Sequence, residues 1–254
     1  MGFDIAAGHA DSIPARDDLP ERKPPTFCGE CASRPMCLLS GLGPQERDAI
    51  AADITLHKYR PGQRITTEGD IPADAHMVKV GTVFGYRRGI DGTERPIGIA
   101  GRGAMFGLFA LLQQPNQVST IAASTVYVCT IPAATLRRLV AASPSFAREV
   151  AAGTTRMWAF FCDWSGGMRV QGLTNQLAYA LAMLGRTQHS QVVQLPTRAA
   201  LGQLLGAGRE TVSRALATLA AEGRIELLPG KRCGLRHEKL LARLRAGDSA
   251  DPGA

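Results

Sequence analysis

The middle of the chain alternates short apolar runs with turn-forming residues. Between Leu56 and Ile131, runs rich in β-branched and aromatic residues are separated by turn signals such as Pro61-Gly62 and Gly101-Arg102-Gly103. Short strands at close spacing with this turn chemistry are typical of an antiparallel sandwich or barrel. We therefore predict a β-rich domain with strands at Ile65–Thr67, His76–Val80, Thr82–Tyr86, Ile97–Ile99, Thr120–Thr125 and Val126–Ile131.

A helical pattern with heptad spacing follows the β-rich region. Ser143-Pro144 has the form of a helix N-cap followed by proline at the first helical position. Beyond it, apolar residues and one glycine recur at alternating steps of four and three, the spacing of a coiled-coil seam, at Phe146, Val150, Gly153, Met157, Phe160 and Trp164. This spacing suits a dimer interface and a helix packed on its own β-rich domain equally well. Gly166-Gly167 is expected to loosen or end the helix.

The C-terminal part predicts a helix over Leu173–Leu184, a helix-turn-helix and a two-stranded wing. Two short helices joined at Gly206-Ala207-Gly208 bury apolar residues at Leu201, Leu204, Leu205, Val212, Leu216 and Leu219. The exposed start of the second helix carries Arg209, Glu210, Ser213 and Arg214. Arginine can bond guanine O6 and N7 together, and glutamate can accept from cytosine N4. Because such helices read the major groove with their N-terminal residues, this segment is predicted to bind DNA.

Charge and composition agree with a nucleic-acid partner. The chain has a net charge of +7, and from Arg186 onward it holds 11 Lys and Arg against 6 Asp and Glu. Excess positive charge favours binding to a polyanion. No apolar stretch approaches the roughly 20 residues of a membrane helix, and residues 1–23 lack the opening of a secretory signal. We therefore expect a cytoplasmic protein without membrane contact, with reduced thiols.

A compact group of cysteines precedes the β-rich region. Cys28, Cys31 and Cys37 have the spacing C-x₂-C-x₅-C. Closely spaced thiolates suit zinc or an iron–sulfur centre, and either centre needs a fourth ligand. The spacing alone does not distinguish the two. Cys162 and Cys233 fit no ligand pattern and are interpreted as structural or incidental.

The segment Arg209-Glu-Thr-Val-Ser-Arg214, with its apolar helix and wing, resembles the DNA-binding domain of the CRP/FNR superfamily, the catabolite activator and the fumarate and nitrate reductase regulators. The resemblance extends over roughly Cys28 to Leu244. It implies an α+β fold: an antiparallel β-roll of the cyclic-nucleotide-binding type, a long dimerisation helix and a C-terminal winged helix-turn-helix. The expected divisions are a flexible N-terminal segment (1–26), the cysteine loop and β-roll (27–142), the dimerisation helix (143–172) and the DNA-binding domain (173–254).

The resemblance also implies the fourth cysteine ligand and the signal. FNR-type regulators have the same three-cysteine spacing and a fourth ligand in a Val-Cys-x-Ile-Pro pattern, which Val128-Cys129-Thr130-Ile131-Pro132 matches. The implied ligands of a [4Fe–4S] cluster are Cys28, Cys31, Cys37 and Cys129. In such regulators the cluster favours the DNA-binding homodimer, and oxygen converts it to [2Fe–2S] and weakens that dimer.

The same resemblance implies the partners. Glu210, Ser213 and Arg214 would read a palindromic operator with TTGAT-like half-sites, whereas Arg209 is the residue of catabolite-activator-type helices and leaves the outer bases open. RNA polymerase is a further implied partner. Cyclic nucleotide is not expected, because leucine (Leu108) and glutamine (Gln117) occupy the positions of the glutamate and arginine that hold it.

Several other readings remain open at this point. The alternatives are a regulator that senses thiol redox state, nitric oxide or a small effector without a cluster, a zinc site, and an iron–sulfur electron carrier. An enzyme is not expected, because no nucleophile–base arrangement and no phosphate-binding glycine loop is evident.

Overall fold

The computed structural model describes residues 31, 33–236 and 239–240. Its β-roll consists of two four-stranded antiparallel sheets with strand orders β1-β8-β3-β6 and β2-β7-β4-β5. The strands are β1 (Thr55–Tyr59), β2 (Arg64–Thr66), β3 (Asp74–Val80), β4 (Val83–Arg88), β5 (Glu94–Ala100), β6 (Met105–Phe106), β7 (Ser119–Ala122) and β8 (Val126–Pro132). Apolar residues on the inner faces, including Val78, Val83 and Val128, are buried between the sheets. The predicted β-rich domain is confirmed.

Six helices and a second small sheet complete the described chain. The helices are α1 (Pro44–Ala51), α2 (Ala133–Ala142), α3 (Pro144–Gly167), α4 (Leu173–Gln188), α5 (Arg198–Leu205) and α6 (Arg209–Ala221). The strands β9 (Val192–Gln194), β10 (Ile225–Leu228) and β11 (Arg232–Leu235) form an antiparallel sheet in the order β10-β11-β9. The α+β fold with a β-roll, a long helix and a C-terminal helix-turn-helix is therefore as predicted.

The long helix α3 begins where its sequence indicated. The Ser143 hydroxyl accepts the N–H of Phe146 (3.4 Å), and Pro144 occupies the first turn. The helix ends at Gly167, which lies against the ring of Tyr179 on α4 so closely that any side chain there would overlap the ring. Gly167 thus ends α3 because α4 packs on it.

Four elements were not predicted from sequence. Strand β1 is an edge strand of mixed polarity that pairs only with β8, and β6 has two residues, too few to show a period. Strand β9 has three residues. Helix α2 follows Pro132 directly, and only Ser143 separates it from α3. The sequence predicts a helical region that begins at Ser143, and α2 extends that region towards the N-terminus.

Candidate DNA-reading head and cysteine joint

The helix-turn-helix is held in shape by local capping and by a close backbone approach. The Thr197 hydroxyl accepts the Ala200 N–H (3.1 Å) at the start of α5. Gly206 ends α5 with φ +63°, a left-handed conformation that favours glycine. Gly202 lies so close to the carbonyl of Ala207 that a side chain would displace the turn. The sequence therefore fixes the angle between the two helices locally.

The two helices bury one face and leave the other open. Leu201, Val212, Leu216 and Leu219 are fully buried and Leu204 nearly so, whereas Leu205 is only partly buried. On the opposite face the four predicted DNA-reading side chains are exposed: Arg209, Glu210, Ser213 and Arg214. None of the three charged ones forms a salt bridge with another described residue. We call this surface the DNA-reading head.

The wing follows α6 directly. Strands β10 and β11 pair antiparallel around Pro229-Gly230-Lys231, and both Gly230 (φ +74°) and Lys231 (φ +58°) take left-handed conformations. Lys231 and Arg232 are exposed. Two basic side chains therefore project from a short hairpin beside the DNA-reading head, where they suit contact with a phosphate backbone.

A small cavity brings three of the four predicted cysteine ligands together. Cys31 and Cys37 come from the segment before α1, and Cys129 comes from the central strand β8. Cys129 pairs with Leu56 on one side and Met77 on the other, so the three side chains share one face of the sheet, and all line the cavity. Cys28, the fourth predicted ligand, lies outside the described residues. We call this region the cysteine joint.

The wall of the cysteine cavity is apolar and basic. Leu39, Ile54 and Leu56 line it together with three cationic side chains, Arg34, Arg47 and Lys79, and none of the described residues that line it is acidic. The Nη1 atom of Arg47 is buried without a hydrogen-bond partner. An unsatisfied buried guanidinium nitrogen is costly unless a negative charge faces it. The cavity thus suits thiolates or another anion.

The described cysteine side chains line one small cavity. Within the described part of the chain, no three Cys, His, Asp or Glu side chains are grouped closely enough to hold one metal ion. The cavity holds about 30 Å³, space for roughly one or two water molecules.

The cysteine segment packs directly on the long helix. Leu38 and Leu39 follow Cys37 in a 3₁₀ turn and join a buried cluster that includes Phe146 of α3. The Cδ1 atom of Leu38 lies 3.8 Å from the point where a side chain would begin at Gly153. Gly153 leaves a gap in the helix surface, and Leu38 fills that gap from the same chain.

The predicted seam of α3 is only partly accessible in the described chain. Phe146 is 1% exposed and Trp164 is 5% exposed, each within a core of its own chain, and Val150 and Phe160 pack against those cores. Phe146 and Trp164 therefore have little surface left for a partner, whereas Val150 and Phe160 are partly exposed. A parallel stripe, displaced by about one residue, is exposed along α3 and consists of Ala151, Thr154, Trp158, Cys162 and Ser165. Met157 is the one seam residue that is exposed.

The remaining cysteines lie away from the cysteine joint. Cys162 is exposed on α3, whereas Cys233 is buried on β11, where desolvation raises the pKa of its thiol to about 11. The sequence reasoning missed the basic lining of the cavity. Arg34 lies within the cysteine segment and was visible there, but Arg47 and Lys79 come from α1 and β3 and no spacing pattern connects them.

No helix in the described part of the chain is both long enough and apolar enough to cross a membrane.

Comparison with known proteins agrees with this architecture. Residues 56–143 match the family model of the cyclic nucleotide-binding domain, and residues 175–244 match that of the Crp-like helix-turn-helix domain. A cyclic AMP receptor protein of Thermus thermophilus is 29% identical over 194 residues, which are 76% of this chain and 89% of that protein.

Two solved structures share the fold. FixK2 from Bradyrhizobium japonicum has 23% identity and a TM-score of 0.63, over 79% of this chain and 99% of its own. The c-di-GMP-responsive global regulator CLP of Xanthomonas campestris has 20% identity and a TM-score of 0.56, over 76% and 99%. These likenesses show the fold. The two domain models, in the observed order, and the Thermus relative together support a transcription regulator of the CRP/FNR superfamily with a Crp-like helix-turn-helix.

Proposed function

We propose that this regulator responds to oxygen through a [4Fe–4S] cluster held by Cys28, Cys31, Cys37 and Cys129. The observation that carries the proposal is the common cavity of Cys31, Cys37 and Cys129, which come from opposite ends of the sensory domain. When bound, the cluster supplies an oxygen-sensitive centre whose loss frees these thiolates. The partners are a second copy of the chain and a palindromic operator.

The chemistry of the cavity suits an iron–sulfur cluster, which proteins hold by cysteine thiolates. Its anionic thiolates would also face the buried Nη1 atom of Arg47, which has no partner otherwise.

The residues around the cysteines connect the site to the long helix. Cys37 precedes the turn that carries Leu38, and Leu38 packs at Gly153 on α3. Release of the cysteine segment would withdraw Leu38 and Leu39 from the apolar cluster that supports the first half of α3. The α3 surface would then lose the support that favours its paired state, which is a population shift between monomer and dimer.

The exposed stripe on α3 is the surface that we assign to the homodimer. Trp158 at its centre is 70% exposed, so a large apolar side chain is open to a partner there. Substitution Trp158→Lys is expected to give monomers in sedimentation velocity, whereas Met157→Lys on the originally predicted seam should leave the dimer largely intact. If Met157→Lys gives monomers and Trp158→Lys does not, the dimer interface is the seam predicted from the sequence.

The operator preference is proposed from the residues of the DNA-reading head. Glu210, Ser213 and Arg214 are exposed together at the start of α6 and support a TTGAT-like half-site, with Arg209 adding a contact whose base is open. A dimer would engage two such half-sites. RNA polymerase is the further partner that activation of transcription would require.

The test combines metal analysis with DNA binding in anaerobically purified full-length protein. Iron and sulfide are quantified, a Mössbauer spectrum is recorded, and binding to a TTGAT–ATCAA duplex is measured before and after exposure to air. We expect four irons per chain and weaker binding in air. Cys129→Ser should abolish both the iron and the air effect, and the matched control Cys162→Ser should preserve both. The oxygen proposal would be overturned if the protein contained zinc and no iron, or if it bound the duplex equally well before and after exposure to air.

A cyclic-nucleotide receptor is the second candidate, because the sensory domain matches the cyclic nucleotide-binding model and a cyclic AMP receptor protein is a relative. Two side chains oppose it. Leu108, at the position of the expected glutamate, packs against the apolar cluster beside the cysteine joint, and Gln117, at the position of the expected arginine, is exposed and donates to the carbonyl of Pro115. Addition of cyclic AMP to the same binding assay decides between them, since a receptor would bind its operator more tightly.

A further inference from the structure

One turn of the β-roll touches both the cysteine segment and the DNA-binding domain. It consists of Gly101, Arg102 and Gly103 and joins strand β5 to strand β6. The Gly103 N–H donates to the carbonyl of Val78 on β3 (2.8 Å). The Ala104 N–H closes the turn by donating to the carbonyl of Gly101 (2.9 Å). We call these three residues the junction turn.

The cysteine segment is held against the junction turn at two points. Arg102 donates from Nε to the hydroxyl of Ser33 (3.0 Å), and this hydroxyl donates to the carbonyl of Lys79 (2.9 Å). Ser33 is buried, so water does not compete for these bonds. Gly103 lies so close to Met36 that a side chain would begin 2.7 Å from the Met36 carbonyl oxygen. Both contacts fall between two predicted cysteine ligands, and a displacement of the segment removes both from the turn.

The same turn contacts the DNA-binding domain through Gly101. Gly101 is buried against the last turn of α4, and a side chain there would begin 2.5 Å from the carbonyl oxygen of Thr187. The next residue, Gln188, donates from its side-chain amide to the hydroxyl of Thr82 on the β-roll (3.1 Å). Thr82 and Thr187 are themselves buried. The end of α4 is therefore positioned by direct contact with the β-roll.

Helix α4 in turn supports α6, the helix that carries the DNA-reading side chains. Leu181 and Leu184 of α4 share one buried cluster with Leu216 and Leu219 of α6. Close-packed interiors transmit displacements, because few voids are available to absorb them. A shift of the α4 end therefore changes how α6 is presented relative to the β-roll, while local capping preserves the shape of the DNA-reading head.

We propose that the junction turn couples the cysteine segment to the DNA-binding domain within a single protomer, alongside the dimer interface on α3. With the segment in place, Ser33 and the backbone of Met36 hold the turn, and the turn holds the end of α4. Departure of the segment frees both, so the DNA-binding domain samples more orientations and operator binding costs more conformational entropy. The trigger rests on the proposed iron–sulfur cluster, whereas the coupling is a property of the packing.

Hydrogen exchange in the full-length, anaerobically purified protein tests the coupling, because amide exchange reports local opening. Ser33→Ala removes the hydroxyl that joins Arg102 to β3. Amides of residues 185–194, around the end of α4, should then exchange about two- to tenfold faster, the range expected for one hydrogen bond. The matched control Ser40→Ala changes an exposed serine of the same segment and should leave these rates unchanged. Sedimentation velocity ensures that all samples are compared in one association state.

The coupling must also act in the opposite direction, because coupling free energies are reciprocal. Gly101→Ala places a methyl group against the carbonyl of Thr187 and displaces the end of α4, so residues 33–40 of the cysteine segment should exchange faster. Gly166→Ala, which meets open space on α3, is the matched control and should leave residues 33–40 unchanged. Thermal unfolding establishes that each variant folds, and if one of the two does not, the other decides.

Native exchange rates at residues 185–194 in Ser33→Ala, or at residues 33–40 in Gly101→Ala, would overturn the coupling even if the junction turn itself exchanged faster. Equal acceleration by the two control variants would overturn it as well. Iron analysis of the same samples separates this proposal from the oxygen response. A protein without iron that shows both accelerations keeps the coupling and lacks the proposed trigger. A protein with iron and native rates in both variants responds to oxygen through the dimer alone.

Discussion

The DNA-reading head and the cysteine joint are built in opposite ways. The DNA-reading head is assembled from one continuous stretch, Thr197 to Ala221, and its predicted DNA-reading side chains are exposed and form no salt bridge with another described residue. The cysteine joint takes Cys31 and Cys37 from the beginning of the described chain and Cys129 from strand β8, and its sulfur atoms lie on a small cavity with a basic wall.

This difference sets how each region responds to change. Helix capping and close glycine contacts hold the two helices of the DNA-reading head in place locally, before any ligand binds. The cysteine joint is a tertiary contact between distant segments, so a change in its chemistry alters the packing around it.

The strongest test of this comparison removes one core leucine from each region. Leu216→Ala in α6 and Leu38→Ala beside Cys37 should each lower the free energy of unfolding by about 2–5 kcal/mol, because both leucines are buried. Leu216→Ala should lose operator binding and keep its iron, whereas Leu38→Ala should lose iron and keep binding to non-operator DNA. Urea unfolding, iron analysis and gel shifts measure the three properties.

The exposed Leu112 is the control for both substitutions, and Leu112→Ala should change stability by less than about 0.5 kcal/mol. If both core variants lost iron and operator binding together, the two regions would be one cooperative unit and the comparison would fail.

The next largest effect is a pH dependence that arises in the sensory domain. His76 is buried, stacks on Phe106 and contacts the Thr130 hydroxyl at 3.0 Å. Burial, and secondarily the charge of His57, lowers the pKa of His76 to about 4. The unfolded chain takes up a proton below about pH 6.5 while the folded chain does not, so stability is lost as pH falls from 6.5 towards 4, by about 3 kcal/mol.

Urea unfolding at pH 7 and pH 4.5 measures this loss, and His76→Gln should flatten it. His189→Asn, at an exposed position with a left-handed backbone, should leave the slope unchanged. If the free energy of unfolding of His76→Gln still falls between pH 7 and pH 4.5, other groups cause the pH dependence.

A smaller effect is expected from one DNA-reading arginine. Arg214→Ala should weaken binding to the TTGAT duplex by about 1–3 kcal/mol, roughly 5- to 150-fold, because one bidentate base contact is lost. The loss should be the same with and without air, since the DNA-reading head is separate from the cysteine joint. Arg95→Ala, which breaks only an exposed ion pair with Asp91 on the β-roll, is the matched control for charge. If Arg214→Ala loses the same affinity for non-operator DNA, Arg214 contacts the phosphate backbone and not a base.

The smallest effect separates the two cysteines that lie outside the joint. Burial raises the pKa of the Cys233 thiol to about 11, so the reactive thiolate is scarce near neutral pH, whereas Cys162 is exposed. Iodoacetamide at pH 8 followed by mass spectrometry should label Cys162 in the native protein and Cys233 only after unfolding. Rapid native labelling of Cys233 would mean that the wing sheet opens readily.

The sequence by itself determined the regions whose information is local. The helix-turn-helix, its buried leucines and its exposed polar face follow from helical periodicity, the Thr197 cap and the Gly206 turn, all within one stretch. The start of α3 followed from Ser143-Pro144 for the same reason. Helix α3 has the heptad period that its sequence indicates. The period does not show which of two neighbouring stripes on the helix packs against the rest of the chain.

Only the tertiary structure decided that orientation and the composition of the cysteine joint. Phe146 and Trp164 turn inward because Leu38, α2 and α4 offer them apolar surfaces, which leaves Trp158 outside. Arg47 and Lys79 reach the cysteine cavity because α1 and β3 are brought there by folding. Contacts between segments far apart in sequence carry no local period, and for that reason the chain alone does not reveal them.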